Sequence, residues 1–97
     1  MSTDNLPAIK VKIPGPLRTP GLGADQIQLR AGSVRQALQT LAERDPDFAH
    51  LVLMSNGSLR RTVFISVGNQ DVRLREGLDT RLQENDEVVL VAAISGG

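Results

Sequence analysis

Side chains able to carry covalent or acid–base chemistry are scarce in this sequence. It contains no cysteine and a single histidine, His50. Without a thiol there is no thiolate nucleophile, disulfide scaffold, zinc ribbon or iron–sulfur ligation, and one histidine builds neither a catalytic triad nor a histidine-based metal cluster. His50 reads as a surface or loop-packing residue, and no catalytic residue is expected. The acids Asp79, Glu84, Asp86 and Glu87 are too dispersed to argue a metal site from spacing. The glycines of "GLG" at Gly21 to Gly23 suit a phosphate loop, but no helix opens behind them to supply the free N–H groups that such a site requires. Arg60 and Arg61 read as a solvated strand end in preference to a site for an acidic partner surface. What remains is the ending "VVLVAAISGG": an apolar run, then Ser95, Gly96 and Gly97, with a main-chain carboxyl as the last chemical group. Two terminal glycines arise by chance in roughly one chain in 200, so the ending asks for a better reason than a frayed terminus.

A group at the end of a chain is only as useful as the body that presents it. Ninety-seven residues fit one small domain with one core, since a chain of this size buries only about two-thirds of the surface its unfolded form exposes. The hydrophobic content of 40% and charged content of 23% are those of an ordinary globular protein. Phe48 and Phe64 are the only aromatic residues, which leaves no aromatic cage and no ladder of rings for bases to stack on. Eleven basic and eleven acidic residues cancel, and they are interspersed, so nucleic acid and membrane surfaces are unexpected partners. No basic-then-apolar leader opens the chain and the run from Val88 to Ile94 is too short to span a bilayer. The expected location is the cytoplasm.

Hydrophobic periodicity sets out the elements. "AIKVKIP" and "DQIQLR" alternate at period two, with Ile9, Val11, Ile13, Ile27 and Leu29 pointing inward, and the Pro- and Gly-rich stretch between them reads as a loop. The period then changes. Val34, Ala37, Leu38, Leu41 and Ala42 fall on one face of a helix, with Ser33 as N-cap and Pro46 as the stop signal. A short helical turn near Phe48 to Leu51 and a loop at Ser55 to Gly57 follow. "TVFISV" reads as a strand with Val63, Ile65 and Val67 inward, then a turn at Gly68 to Gln70 and a short strand around Val72 to Leu74. Asn85 and Asp86 turn the chain into a last strand, "EVVLVAA", with Val88 and Leu90 inward.

One helix can cover one face of one sheet. The first and last strands each need two neighbours, so the expected fold is α+β: a mixed sheet of four to five strands, those two strands parallel at its centre and the main helix across one face. This is the β-grasp, or ubiquitin-like, arrangement. The expected layout is a flexible N-terminus over residues 1–7, the β-grasp domain over 8–93 and a flexible diglycine tail over 94–97. Phe64, Val89 and Val91 have the opposite parity to the inward sets, which places an apolar patch for partner proteins on the outer sheet face.

A third strand that ends in a turn with Asp71 behind it, the "LDTRL" segment, the "NDEV" entry to the last strand and the terminal diglycine together resemble the ubiquitin-like sulfur carriers. That family includes the small subunit of molybdopterin synthase, the thiazole-pathway carrier and the carrier for cysteine synthesis. The resemblance is specific from Thr62 to Gly97. The segment from Pro46 to Arg61 is longer than in thiazole carriers and looks more like the cysteine- and molybdopterin-linked members. Gly68 stands where asparagine is frequent, and "AISGG" carries isoleucine and serine where valine and alanine are more usual.

The resemblance implies that Gly97 is adenylated by a separate activating enzyme using ATP and Mg²⁺, then converted to a thiocarboxylate that donates sulfur in biosynthesis. A free carboxylate is a poor electrophile because its leaving group would be oxide; a mixed anhydride with AMP leaves readily. A persulfide or sulfide then takes the place of AMP. Gly96 and Ser95 form the slim part of the arm that threads the enzyme's channel, since glycine has no Cβ to obstruct it. The implied partners are the activating enzyme, a sulfur donor and a sulfur-accepting biosynthetic enzyme, with no cofactor bound to the carrier, which is monomeric when free. Two other readings stay open: a ubiquitin-like modifier joined through Gly97 to lysines, and a non-covalent β-grasp interaction module.

Overall fold

The computed structural model describes residues 5–93. Strand β1, Ala8–Lys12, pairs antiparallel with β2, Gln26–Arg30, in a register that sets Ile9 opposite Leu29 and Val11 opposite Ile27. Those four side chains and Ile13 are buried, as the alternation requires. The loop between the strands contributes Leu17 to the core from a single 3-10 turn, Gly15–Leu17.

Helix α1, Val34–Arg44, starts where Ser33 Oγ accepts from the backbone N–H of Gln36 at 3.1 Å, and it buries Val34, Ala37, Leu38 and Leu41. A second helix, α2, Pro46–Val52, follows at once. It is longer than the single turn expected from the sequence. Pro46, which ends α1, also opens α2, because the first helical turn does not use its own N–H groups. Phe48 and Val52, four residues apart, then share a buried face.

Asp45 joins the two helices to the loop after β1. Its carboxylate accepts from the Thr19 hydroxyl and from the backbone N–H of Asp47 at 3.0 Å, and both Asp45 and Thr19 are buried. Gly21 runs so close that any Cβ there would collide with this carboxylate. The Thr19 hydroxyl, followed by the N–H groups of Asp47, Phe48 and Gly21, holds the Asp45 carboxyl below its ordinary value against the opposing effect of burial. A group whose pKa is lower folded than unfolded adds stability above its unfolded pKa, near 3.8, and that stability fades as pH falls through the folded value. Urea midpoints measured down through this range should therefore fall more steeply in the wild type than in Asp45→Asn, whose side chain does not ionise.

Strand β3, Val63–Val67, and the last strand, β5, Glu87–Ala92, pair antiparallel from Val63↔Ala92 to Val67↔Val88. β5 also pairs parallel with β1, from Lys10↔Glu87 to Lys12↔Val89. Together with β4, Gln70–Asp71, the sheet has five strands in the order β2-β1-β5-β3-β4, with the two terminal strands adjacent and parallel as expected. The segment after β3 differs from expectation: Val72–Leu74 is a 3-10 turn, and the short strand lies two residues earlier. Gly68 and Asn69 both have positive φ, 59° and 66°, which makes a two-residue turn and pairs Gln70 directly with Val67. Asp71 then accepts from the N–H of Arg73 at 2.8 Å and curls the chain away from the sheet.

The "LDTRL" segment clamps the start of α1. The carbonyl of Thr80 accepts from Val34 N–H at 3.1 Å, that of Gly32 accepts from Leu82 N–H at 3.0 Å, and Arg35 pairs with Asp79 at 3.0 Å. Thr80 is fully buried; its hydroxyl donates to the Gly77 carbonyl at 2.7 Å and accepts from Glu76 N–H at 3.2 Å. Thr80→Val keeps the shape but removes the hydroxyl from Glu76 N–H, while the Gly77 carbonyl still accepts from the Thr80 backbone N–H at 3.1 Å, so it should lower the unfolding free energy by about 0.5–1.5 kcal/mol in urea denaturation with an unchanged m-value.

Candidate functional site

Ser95, Gly96 and Gly97 lie outside the described residues, so the site is defined by the place from which they depart. β5 is a central strand, yet its register with β1 ends at Lys12↔Val89, while its pairing with β3 continues to Ala92. Ala93 N–H still donates to the Thr62 carbonyl at 2.7 Å. The last described residue, Ala93, is therefore held at the entry of β3, against Thr62. A backbone bond to the β3 flank positions the last described residue.

Phe64 and Val91 stand opposite one another across β3 and β5, and Val89 lies two residues earlier on β5, opposite Ser66 and Lys12. Phe64 and Val89 are half-buried and Val91 is 50% exposed. Phe64 is partly covered by a residue from the segment after β3. The guanidinium carbon of Arg73 sits 4.2 Å from the centre of its ring, a cation–π contact. No signal in the local pattern could have found this pair, because it depends on the turn at Gly68 and Asn69 folding Arg73 back across β3. Lys12 and Glu87 close the other side of this face with an ion pair of 2.9 Å, which holds the Glu87 carboxyl below its ordinary value.

The acids considered as metal ligands have separate structural tasks. Asp79 pairs with Arg35, Glu84 Oε1 accepts from Ala8 N–H at 2.9 Å, Asp86 accepts from Gln83 N–H at 2.7 Å, and Glu87 pairs with Lys12. Among the described residues no three His, Cys, Asp or Glu side chains gather as a metal site. His50 is exposed and offers its backbone carbonyl to Arg60 Nε at 2.7 Å. Gly21 to Gly23 lead into β2 and not into a helix. No helix among the described residues is long and apolar enough to cross a membrane.

A mixed sheet with parallel terminal strands, a helix across it and the last strand leading into two glycines defines a ubiquitin-like β-grasp protein of the sulfur-carrier type. The chain belongs to the ThiS family, whose model matches residues 11–97. It is 30% identical over 90 residues to a predicted sulfur carrier protein of Archaeoglobus fulgidus, covering 93% of this chain and 99% of that one. Its fold matches CysO of Amycolatopsis orientalis, solved in complex with BexX, with a TM-score of 0.82 and 24% identity over 93% of this chain and 100% of that chain. It also matches Mycobacterium tuberculosis CysO with a TM-score of 0.79 and 27% identity, over 89% of this chain and 99% of that one.

Proposed function

We propose that this protein is a sulfur carrier whose Gly97 carboxyl is the working group. The observation that carries the reading is that the family match runs to the diglycine itself, downstream of a strand anchored in the centre of the sheet. The Gly97 carboxylate attacks the α-phosphorus of ATP on a separate, Mg²⁺-dependent enzyme and expels pyrophosphate. Hydrosulfide then attacks the carbonyl carbon and AMP departs, leaving –COS⁻. If the donor is a persulfide, an acyl disulfide forms first, and a thiol must cleave its S–S bond to release the same product. Tethering this nucleophile to a folded body that a biosynthetic enzyme can dock raises its effective concentration at the acceptor.

Phe64, Val89 and Val91 form one docking surface for these partners, and Gly96 and Ser95 thread the activating site. We place the chemistry in the cytoplasm, where the activating enzyme has ATP. The test is intact-protein mass spectrometry after incubation with an activating enzyme, MgATP and sulfide. A product heavier by one oxygen-to-sulfur exchange is expected, localised to the C-terminal peptide. No change under conditions that load a related carrier would reject the reading, and an isopeptide ladder in cells would favour a protein modifier instead.

A further inference from the structure

We propose that a groove at the root of the arm docks an acidic segment of a partner protein that carries an aliphatic side chain between its carboxylates. Leu59, Val72 and Leu78 line the groove together with Arg60, Arg61 and Arg73, and its volume is about 490 Å³. On a chain with no net charge, this end is locally cationic. Arg60, Arg61, Arg73 and Arg75 lie on the segments that form it. Of the acids there, Asp79 is engaged by Arg35, Asp71 reaches Arg73 only at 4.0 Å and Glu76 is exposed.

Arg60 and Arg61 make no ion pair among the described residues, and the pair of Arg73 with Asp71 is long, at 4.0 Å. Arg60 is fixed through Nε to the His50 carbonyl, and Arg73 lies over Phe64 with a long contact of 3.5 Å to the Val63 carbonyl. Arg61 is exposed and makes no ion pair or hydrogen bond among the described residues. Carboxylates suit such a rim because guanidinium N–H groups match their geometry. An aliphatic floor with no free ring favours a peptide side chain over a base or a bare phosphate. Leu74, 76% exposed between Arg73 and Arg75, continues the same alternation of apolar and cationic character.

Position sets the role. The bond from Ala93 to Thr62 holds the last described residue one position along from Arg61, so a protein that takes up residues 94–97 would approach the chain near this groove. That the occupant belongs to such a protein rests on the sulfur-carrier reading; the recognition chemistry does not.

The test titrates the isotopically labelled full chain with acetyl-Asp-Glu-Leu-Glu-Asp-amide and follows backbone amide shifts. Saturable shifts are expected at Leu59, Arg61, Val72 and Leu78. Affinity should fall by about 10-fold in Arg61→Glu, an exposed position whose change spares the core, and comparably when serine replaces leucine in the peptide. Absence of saturation would overturn the proposal. So would equal affinity for Arg61→Glu, or the same shifts with the serine peptide or with tripolyphosphate, which would mark a general anion site. A chain lacking Gly96 and Gly97 should bind the peptide like the wild type. Failure of sulfur loading with intact peptide binding would therefore reject the carrier reading alone, and the reverse would reject the groove alone.

Discussion

A chain shortened by Gly96 and Gly97 should acquire no sulfur when incubated with activating enzyme, MgATP and sulfide, while its urea midpoint stays where it was. The two effects should separate because, among the described residues, the buried core runs from Ile9 to Leu90, and deleting two glycines takes away no side chain. Changes of this kind away from the core are usually within about 0.5 kcal/mol. A substitution is a finer probe. Gly97→Val retains the carboxyl but adds a branched side chain at the carbon next to the reacting one. Adenylation needs the carboxylate oxygen close to phosphorus and in line, and a misplacement of about 1 Å can lower a rate by about 100-fold. Loading by quantitative mass spectrometry should fall by about that factor or more. Sulfur incorporation by the shortened chain at the wild-type rate would show that the reactive group lies elsewhere.

The second large effect is on stability. Phe48→Ala should lower the unfolding free energy by about 3–5 kcal/mol, the usual range for emptying a buried aromatic site. Phe48 is 1% exposed and heads the fully buried side chains by size. A domain of this length is stable by about 5–15 kcal/mol in total, so this one change would remove a large share. The measurement is urea denaturation followed by circular dichroism, and a loss under about 1 kcal/mol would mean that α2 does not anchor the core. Phe64→Ala is the natural contrast. Phe64 is half-buried on the outer face, and its contact with Arg73 is of a kind worth about 0.5–1 kcal/mol at exposed sites.

Local patterns made much of this architecture legible. The strands at Ala8–Lys12, Gln26–Arg30 and Val63–Val67 declare themselves by strict alternation, and α1 by its apolar face and the Ser33 cap. The order of these elements was enough to pair β1 with β5. Two segments misled for a common reason. α2 and the turn after Asp71 are short, and their conformation is set by single side chains, Asp45 and Asp71, accepting from backbone N–H groups just ahead of them. An aspartate in a sequence does not say which N–H it will meet.

The sequence by itself determined which side chains of β1, β2, β3 and β5 face the core, where the main helix starts and that the apolar last strand leads into two glycines. These follow from periodicities and caps that act over a few residues. Only the tertiary structure decided that Arg73 covers Phe64, that Arg60, Arg61 and Arg73 line one groove with Leu59, Val72 and Leu78, and that Ala93 is held beside Thr62. Each of those contacts joins residues distant along the chain, and their meeting is fixed by strand register and by the turn at Gly68 and Asn69, which no local pattern encodes.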